Sequence, residues 1–70
     1  MMGDRYTGIR EGDGWRLISL DDQIKCIERE IALRRRVYPR RVAEGRMKLD
    51  EAEREVSAMR AVLMTLEGRK

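Results

Sequence analysis

The chain has 70 residues, of which 41% are charged and 4% aromatic, and its formal net charge is +3. A chain of this length forms at most one domain, and so small a domain is only marginally stable without further support. Cys26 is the only cysteine and there is no histidine, which excludes an internal disulfide and a Cys/His zinc site. Self-association is the remaining means of stabilisation.

The chain lacks the signals of membrane insertion and secretion. No apolar run approaches the ~20 residues that a membrane span needs, and the N-terminus has no apolar core of the signal-peptide type. A single unpaired cysteine fits a reducing compartment. We therefore expect a cytoplasmic protein with no membrane partner.

Residues 1–18 differ from the rest because four glycines interrupt them. The run Glu11-Gly12-Asp13-Gly14 is a turn signal, with apolar residues on both sides. An isolated two-stranded hairpin is marginal in water, so we favour a flexible or extended arm. The alternative is a short hairpin packed on the helices, which would give the large side chain of Trp15 some cover.

The first predicted helix covers about residues 20–44. Ser19 is a suitable N-cap, and acidic residues follow in the first turn, where they favour the positive end of the helix. An apolar stripe then recurs at spacings of three, four and seven, the pattern of an amphipathic helix: Leu20, Ile24, Ile27, Ile31, Tyr38 and Val42. Pro39 interrupts this helix, but the stripe resumes in phase at Val42. We favour a kinked helix over a break at Val37, with Gly45 as the C-terminal stop.

The second predicted helix covers about residues 51–67, with Asp50 as N-cap and Glu53 completing a capping box. The short connection makes the two helices antiparallel neighbours. The sequence therefore predicts an all-α fold, with a helical hairpin domain at residues 19–68. The expected core consists of Ile24, Ile27, Ile31, Val56, Met59 and Leu63.

A second set of apolar residues lies on roughly the opposite face of the first helix, at Cys26, Leu33 and Val37. A single hairpin cannot cover both faces, which predicts a homodimer forming a four-helix bundle. Together with Trp15, these residues form the candidate dimer interface. The alternative is that they are scattered surface residues.

Nothing in the sequence indicates catalysis, because histidine is absent and no serine or threonine has a base at motif spacing. We expect no enzyme activity, no cofactor, no metal and no small-molecule substrate. Cys26 lies one helical turn from Asp22 and from Glu30, which disfavours a reactive thiolate.

The arginine-rich stretch is the main functional candidate. Residues 34–48 contain seven bases and one acid, and arginine can bind phosphate or carboxylate in bidentate fashion. The candidate contacts with nucleic acid or an acidic partner are Arg34, Arg35, Arg36, Arg40, Arg41 and Arg46. The alternative, which we favour, is a solvated surface partly neutralised by the acidic start of the second helix.

Over about residues 19–67 the chain resembles small uncharacterised helical proteins encoded in tailed phages and prophages of proteobacteria. The runs Val37-Tyr38-Pro39 and Gly45-Arg46-Met47 are the most specific parts of this resemblance. It implies expression in the cytoplasm of a host bacterium, and it brings no functional residue, because that group has no assigned activity.

The leading prediction is therefore a non-enzymatic phage- or prophage-related interaction protein that binds a protein partner or itself. One alternative is a small nucleic-acid-binding protein that uses the basic residues 34–41. The other is an inhibitor that docks on a host or defence protein.

Overall fold

In the computed structural model, which describes residues 5–70, a two-stranded antiparallel sheet precedes two helices. The strands are β1 (Tyr6–Glu11) and β2 (Gly14–Ser19). The helices are α1 (Leu20–Ala43) and α2 (Leu49–Glu67). The fold is α+β, so the predicted all-α class, with its four-helix bundle, is wrong.

The difference lies in the N-terminal segment, which forms the short hairpin given above as the alternative and not the favoured flexible arm. Residues 1–4 lie outside the described residues. The two strands pair in register from Tyr6 opposite Ser19 to Glu11 opposite Gly14. Gly12 has a φ of 56° and Asp13 has no positive φ, which is the pattern of a type II′ turn. Such a turn matches the twist of the strands that it joins, and this favours pairing.

The hairpin leads directly into α1, with no residue between β2 and the helix. Ser19 caps the helix, because its hydroxyl accepts a hydrogen bond from the backbone N–H of Asp22 at 3.1 Å. The backbone N–H of Leu20 donates to the carbonyl of Arg5 at 2.6 Å, which extends the strand pairing to the first residue of the helix. The predicted N-cap is therefore confirmed.

Helix α1 continues through Pro39 and ends at Ala43. Gly45 has a φ of 74°, a conformation that glycine adopts without steric cost. Its N–H donates to the carbonyl of Val42 at 3.1 Å, and the N–H of Arg46 donates to the carbonyl of Arg41 at 2.9 Å. These two bonds form a Schellman motif, so Gly45 ends the helix as predicted.

Helix α2 begins two residues earlier than predicted. The N–H of Ala52 donates to the carbonyl of Lys48 at 3.0 Å, which makes Lys48 the N-cap, and no side chain caps this end. The predicted cap at Asp50 is wrong, because Asp50 lies inside the first turn, where its charge still favours the helix dipole.

The apolar core is small and lies between the two helices. Its buried residues are Leu20, Ile24, Ile31 and Ala52, whereas four members of the expected core are only half-buried, namely Ile27, Val56, Met59 and Leu63. No side chain within residues 5–70 is completely buried. Two helices and a two-stranded sheet form a thin body, measuring 44 × 30 × 15 Å, which cannot enclose its apolar residues.

Within the described residues, neither helix combines the length and the apolar character that a membrane crossing requires.

Candidate protein-binding surface

One face of the β-hairpin carries three large, solvent-exposed apolar or aromatic side chains, together with Arg10, which lies opposite Trp15. Side chains alternate between the two faces of a strand, and the register places Tyr6, Trp15 and Leu17 on the same face. Their exposed fractions are 52%, 72% and 68%. We call these three residues the apolar hairpin face.

Gly8 lies at the centre of this face, directly opposite Leu17. A Cβ atom at Gly8 would be 3.7 Å from Cδ2 of Leu17 and 3.8 Å from Cε3 of Trp15. Both side chains therefore cover the bare backbone of Gly8, which makes the apolar hairpin face a continuous surface. Large continuous apolar surfaces on small proteins usually mark a binding site.

The opposite face of the hairpin is tied to α1. The side-chain amide of Gln23 donates to the hydroxyl of Thr7 at 3.0 Å and to the carbonyl of Ile18 at 3.1 Å. An ion pair between Arg16 and Glu11, with 3.6 Å between Nη1 and Oε1, lies on this face. The hairpin is thus held to the helix by polar contacts, and its apolar side chains remain free for a partner.

The predicted dimer interface is divided between two elements. Cys26, Leu33 and Val37 lie within about 40° of one another around α1, at about 100° per residue. Cys26 carries a free, exposed thiol, Leu33 is 43% exposed, and Val37 is half-buried. Trp15 lies in β2, on the apolar hairpin face, and it is much more exposed than the apolar residues on α1.

The six candidate arginines do not converge on one site. Arg34 donates to Glu30 and forms an ion pair with it. This hydrogen bond, with further support from Tyr38, raises the pKa of the Arg34 guanidinium above its ordinary value. Arg46 lies 3.7 Å from Glu44, measured from Nε to Oε1. Two of the six are therefore engaged by neighbouring carboxylates.

The other four arginines point to different sides of α1, and none of them forms an ion pair within residues 5–70. Arg35 lines a groove beside α2. At about 100° per residue, Arg36 and Arg40 lie on the side of α1 that faces away from α2, and Arg41 lies between that side and α2. The predicted basic cluster is therefore distributed around the helix.

The sequence reasoning missed the groove, which has a volume of about 640 Å³. It lies between the C-terminal half of α1 and the N-terminal half of α2. Its lining is mainly apolar, with contributions from Tyr38, Pro39, Val42, Leu49 and Val56. Tyr38 and Val42 belong to the apolar stripe predicted for the first helix, and Val56 belongs to the expected core. The groove arises because the two helices do not close over them.

The described residues contain no cluster of three or more histidine, cysteine or acidic side chains that could hold a metal ion. Comparisons of the chain with protein-family models, with curated proteins and with solved structures find no match.

Proposed function

We propose that this chain is a non-enzymatic interaction protein that binds other proteins through its apolar hairpin face, and that its first partner is a second copy of itself. The observation that carries the proposal is the exposure of Tyr6, Trp15 and Leu17 on one face of a two-stranded sheet. An isolated two-stranded sheet is marginally stable in water. A partner that covers this face would bury the apolar side chains and stabilise the sheet.

The accessible area of the chain supports a partner of the same size. The chain exposes 6062 Å², whereas a compact monomer of 8.3 kDa exposes about 4,600 Å². A stable protein interface of standard size buries about 800 Å² on each partner. The area exposed in excess of a compact monomer, about 1,500 Å², is therefore sufficient for a dimer contact of this size.

A two-fold axis allows the apolar hairpin faces of two copies to pack against each other. In such an interface the same patch is used on both subunits, and sheets that pack face to face lie about 10 Å apart. Trp15 and Leu17 of each copy would fill the space between the two sheets. This arrangement uses the hairpin, unlike the four-helix bundle expected from the sequence.

The phage or prophage setting, the cytoplasmic location and the inhibition of a host protein stay predictions, since no comparison bears on them. Among the side chains of residues 5–70, the apolar hairpin face supports binding to a protein more strongly than any other feature, because it is both continuous and uncovered.

Trp15 is the only tryptophan of the chain, so its fluorescence reports directly on the apolar hairpin face. We expect its emission to shift to longer wavelength on dilution, as the dimer dissociates and the indole enters water. Sedimentation equilibrium should show a dimer over the same concentration range. Leu17→Ser should abolish the dimer.

Met64→Ala is the matched control, because Met64 is 70% exposed and belongs to α2 and not to the apolar hairpin face. It should leave the dimer unchanged. A monomer at all concentrations, with red-shifted emission throughout, would overturn self-association. Equal loss of the dimer in Leu17→Ser and Met64→Ala would overturn the assignment to the hairpin face.

A further inference from the structure

A row of basic side chains runs along the side of α1 that faces away from α2. At about 100° per residue, Lys25, Arg29, Arg36 and Arg40 fall within an arc of about 60°. The centre of this arc lies roughly opposite the buried residues Leu20 and Ile31. All four basic side chains are exposed. We call these four residues the basic stripe.

The chain supplies carboxylates only at the start of the basic stripe, where Asp22 lies in the same arc and Glu28 is three residues after Lys25. None of its members forms an ion pair within the described residues. Asp21, the residue that the helix places one turn before Lys25, instead pairs with Lys70, with 3.8 Å between Oδ1 and Nζ. Glu44, one turn after Arg40, pairs with Arg46.

The central part of the stripe has no carboxylate at the helical spacings that bring side chains together on one face. The positions three and four residues from Arg29 and from Arg36 carry no carboxylate. Lys25 with Arg29, and Arg36 with Arg40, are like-charge pairs at a spacing of four, which destabilise a helix by repulsion. An anion bound outside the helix would remove this repulsion.

The spacing of the stripe fits a polyanion with regularly repeated charges. Along the helix axis the four residues span about 22 Å, with successive intervals of about 6, 10 and 6 Å. Each strand of duplex DNA carries one phosphate per 3.4 Å of helix axis, so several phosphates lie within this span. A rigid helix can therefore present its four cations to one duplex at the same time.

From these observations we infer that the basic stripe binds the phosphate backbone of duplex nucleic acid without reading its sequence. Lysine and arginine contacts to phosphate position a protein on a duplex but carry no base information. The stripe contains no aromatic side chain, and stacking on aromatic side chains is the usual means of holding single strands. This binding is a second activity, on different residues from the apolar hairpin face, and it does not depend on self-association.

The test is fluorescence anisotropy of a short labelled DNA duplex, with an RNA duplex and single-stranded DNA of the same sequence alongside. Four phosphate contacts give a slope of about −3.6 for the logarithm of the binding constant against the logarithm of the salt concentration. Affinity for the DNA duplex should then fall about 150-fold between about 50 and about 200 mM salt. The RNA duplex should bind comparably if the phosphates alone are recognised, and single strands should bind more weakly.

The decisive variant is the triple substitution Arg29→Gln, Arg36→Gln and Arg40→Gln, which should reduce the slope to about −0.9. Its matched control is Arg54→Gln, Arg60→Gln and Arg69→Gln, which removes the same charge from residues outside the stripe. Circular dichroism should show unchanged helix content in both variants, because all six arginines are exposed.

Binding that survives in the control and is lost in the stripe variant is the expected result. Equal weakening in both variants would overturn the stripe, because net charge alone would then explain the binding. No binding to either duplex at the lower salt concentration would overturn the inference as a whole, and so would a clear preference for single strands.

Discussion

The side-chain amide of Gln23 donates a hydrogen bond to the hydroxyl of Thr7, at 3.0 Å, across 16 positions of the chain. The same amide donates to the carbonyl of Ile18 on the other strand. One side chain of α1 therefore contacts both strands of the hairpin. It fixes the hairpin relative to the helix on one face and leaves the apolar hairpin face outward.

Gln23→Ala should loosen the hairpin without unfolding the helices. It removes two hydrogen bonds, and each contributes about 0.5–1.5 kcal/mol to stability. Native-state hydrogen exchange should show faster exchange of the amides of β1 and β2 and little change in the central part of α1. Lys25→Ala is the control, because Lys25 is exposed. Unchanged protection of the strands in Gln23→Ala would contradict the assigned role of Gln23.

Gly45→Ala should destabilise the chain by about 1–2 kcal/mol, since an L-residue with a side chain is strained at positive φ. Urea unfolding measures this change. Gly68 provides a matched control at the end of α2, because its φ of −66° is helical. Gly68→Ala should be neutral or slightly stabilising, and similar losses in both variants would contradict the explanation by backbone conformation.

Pro39→Ala should stabilise the chain by about 1–3 kcal/mol. Proline has no N–H, so it cannot donate to the carbonyl four residues earlier, and its ring crowds the preceding turn. Alanine restores the donor and removes the crowding. Thermal unfolding followed by circular dichroism should show a higher midpoint. A lower midpoint would mean that the contacts of the proline ring in the groove outweigh the backbone effect.

Ile31→Ala should cost about 2–5 kcal/mol, because Ile31 is 8% exposed and its truncation leaves a cavity between the helices. Met59→Ala should cost less, since Met59 is only half-buried. Met64→Ala should change stability little, because Met64 is largely exposed. Urea unfolding of the three variants gives the order directly, and an equal cost for Ile31 and Met64 would contradict the position of the core.

The two helices could be predicted from the sequence because the signals that form and end them are local. Ser19, Gly45 and the apolar stripe of α1 act through residues within one or two turns, and the structure has a helix ending within one residue of the predicted position. The start of α2 was placed wrongly because Lys48 caps it with its backbone alone. A cap formed by the backbone alone requires no particular side chain, so the sequence does not indicate its position.

The hairpin was harder to predict because its stability depends on a contact outside it. The turn signal at Gly12 was recognised, but a hairpin of this length is marginal by itself. The bond from Gln23 to Thr7 joins two segments whose proximity no local pattern indicates. The basic stripe is not apparent from charge density, because the dense basic run lies at residues 34–41, whereas Lys25 and Arg29 continue the spacing of Arg36 and Arg40 towards the start of the helix.

The chain reverses direction twice, and a glycine with positive φ allows each reversal, Gly12 between the strands and Gly45 near the helix connection. Each reversal joins neighbouring segments, so most native contacts form between residues close in sequence. Chains with such local topology reach the native state quickly, in about microseconds to milliseconds. The short search leaves little time for partly folded states in which the two strands are not yet paired with each other.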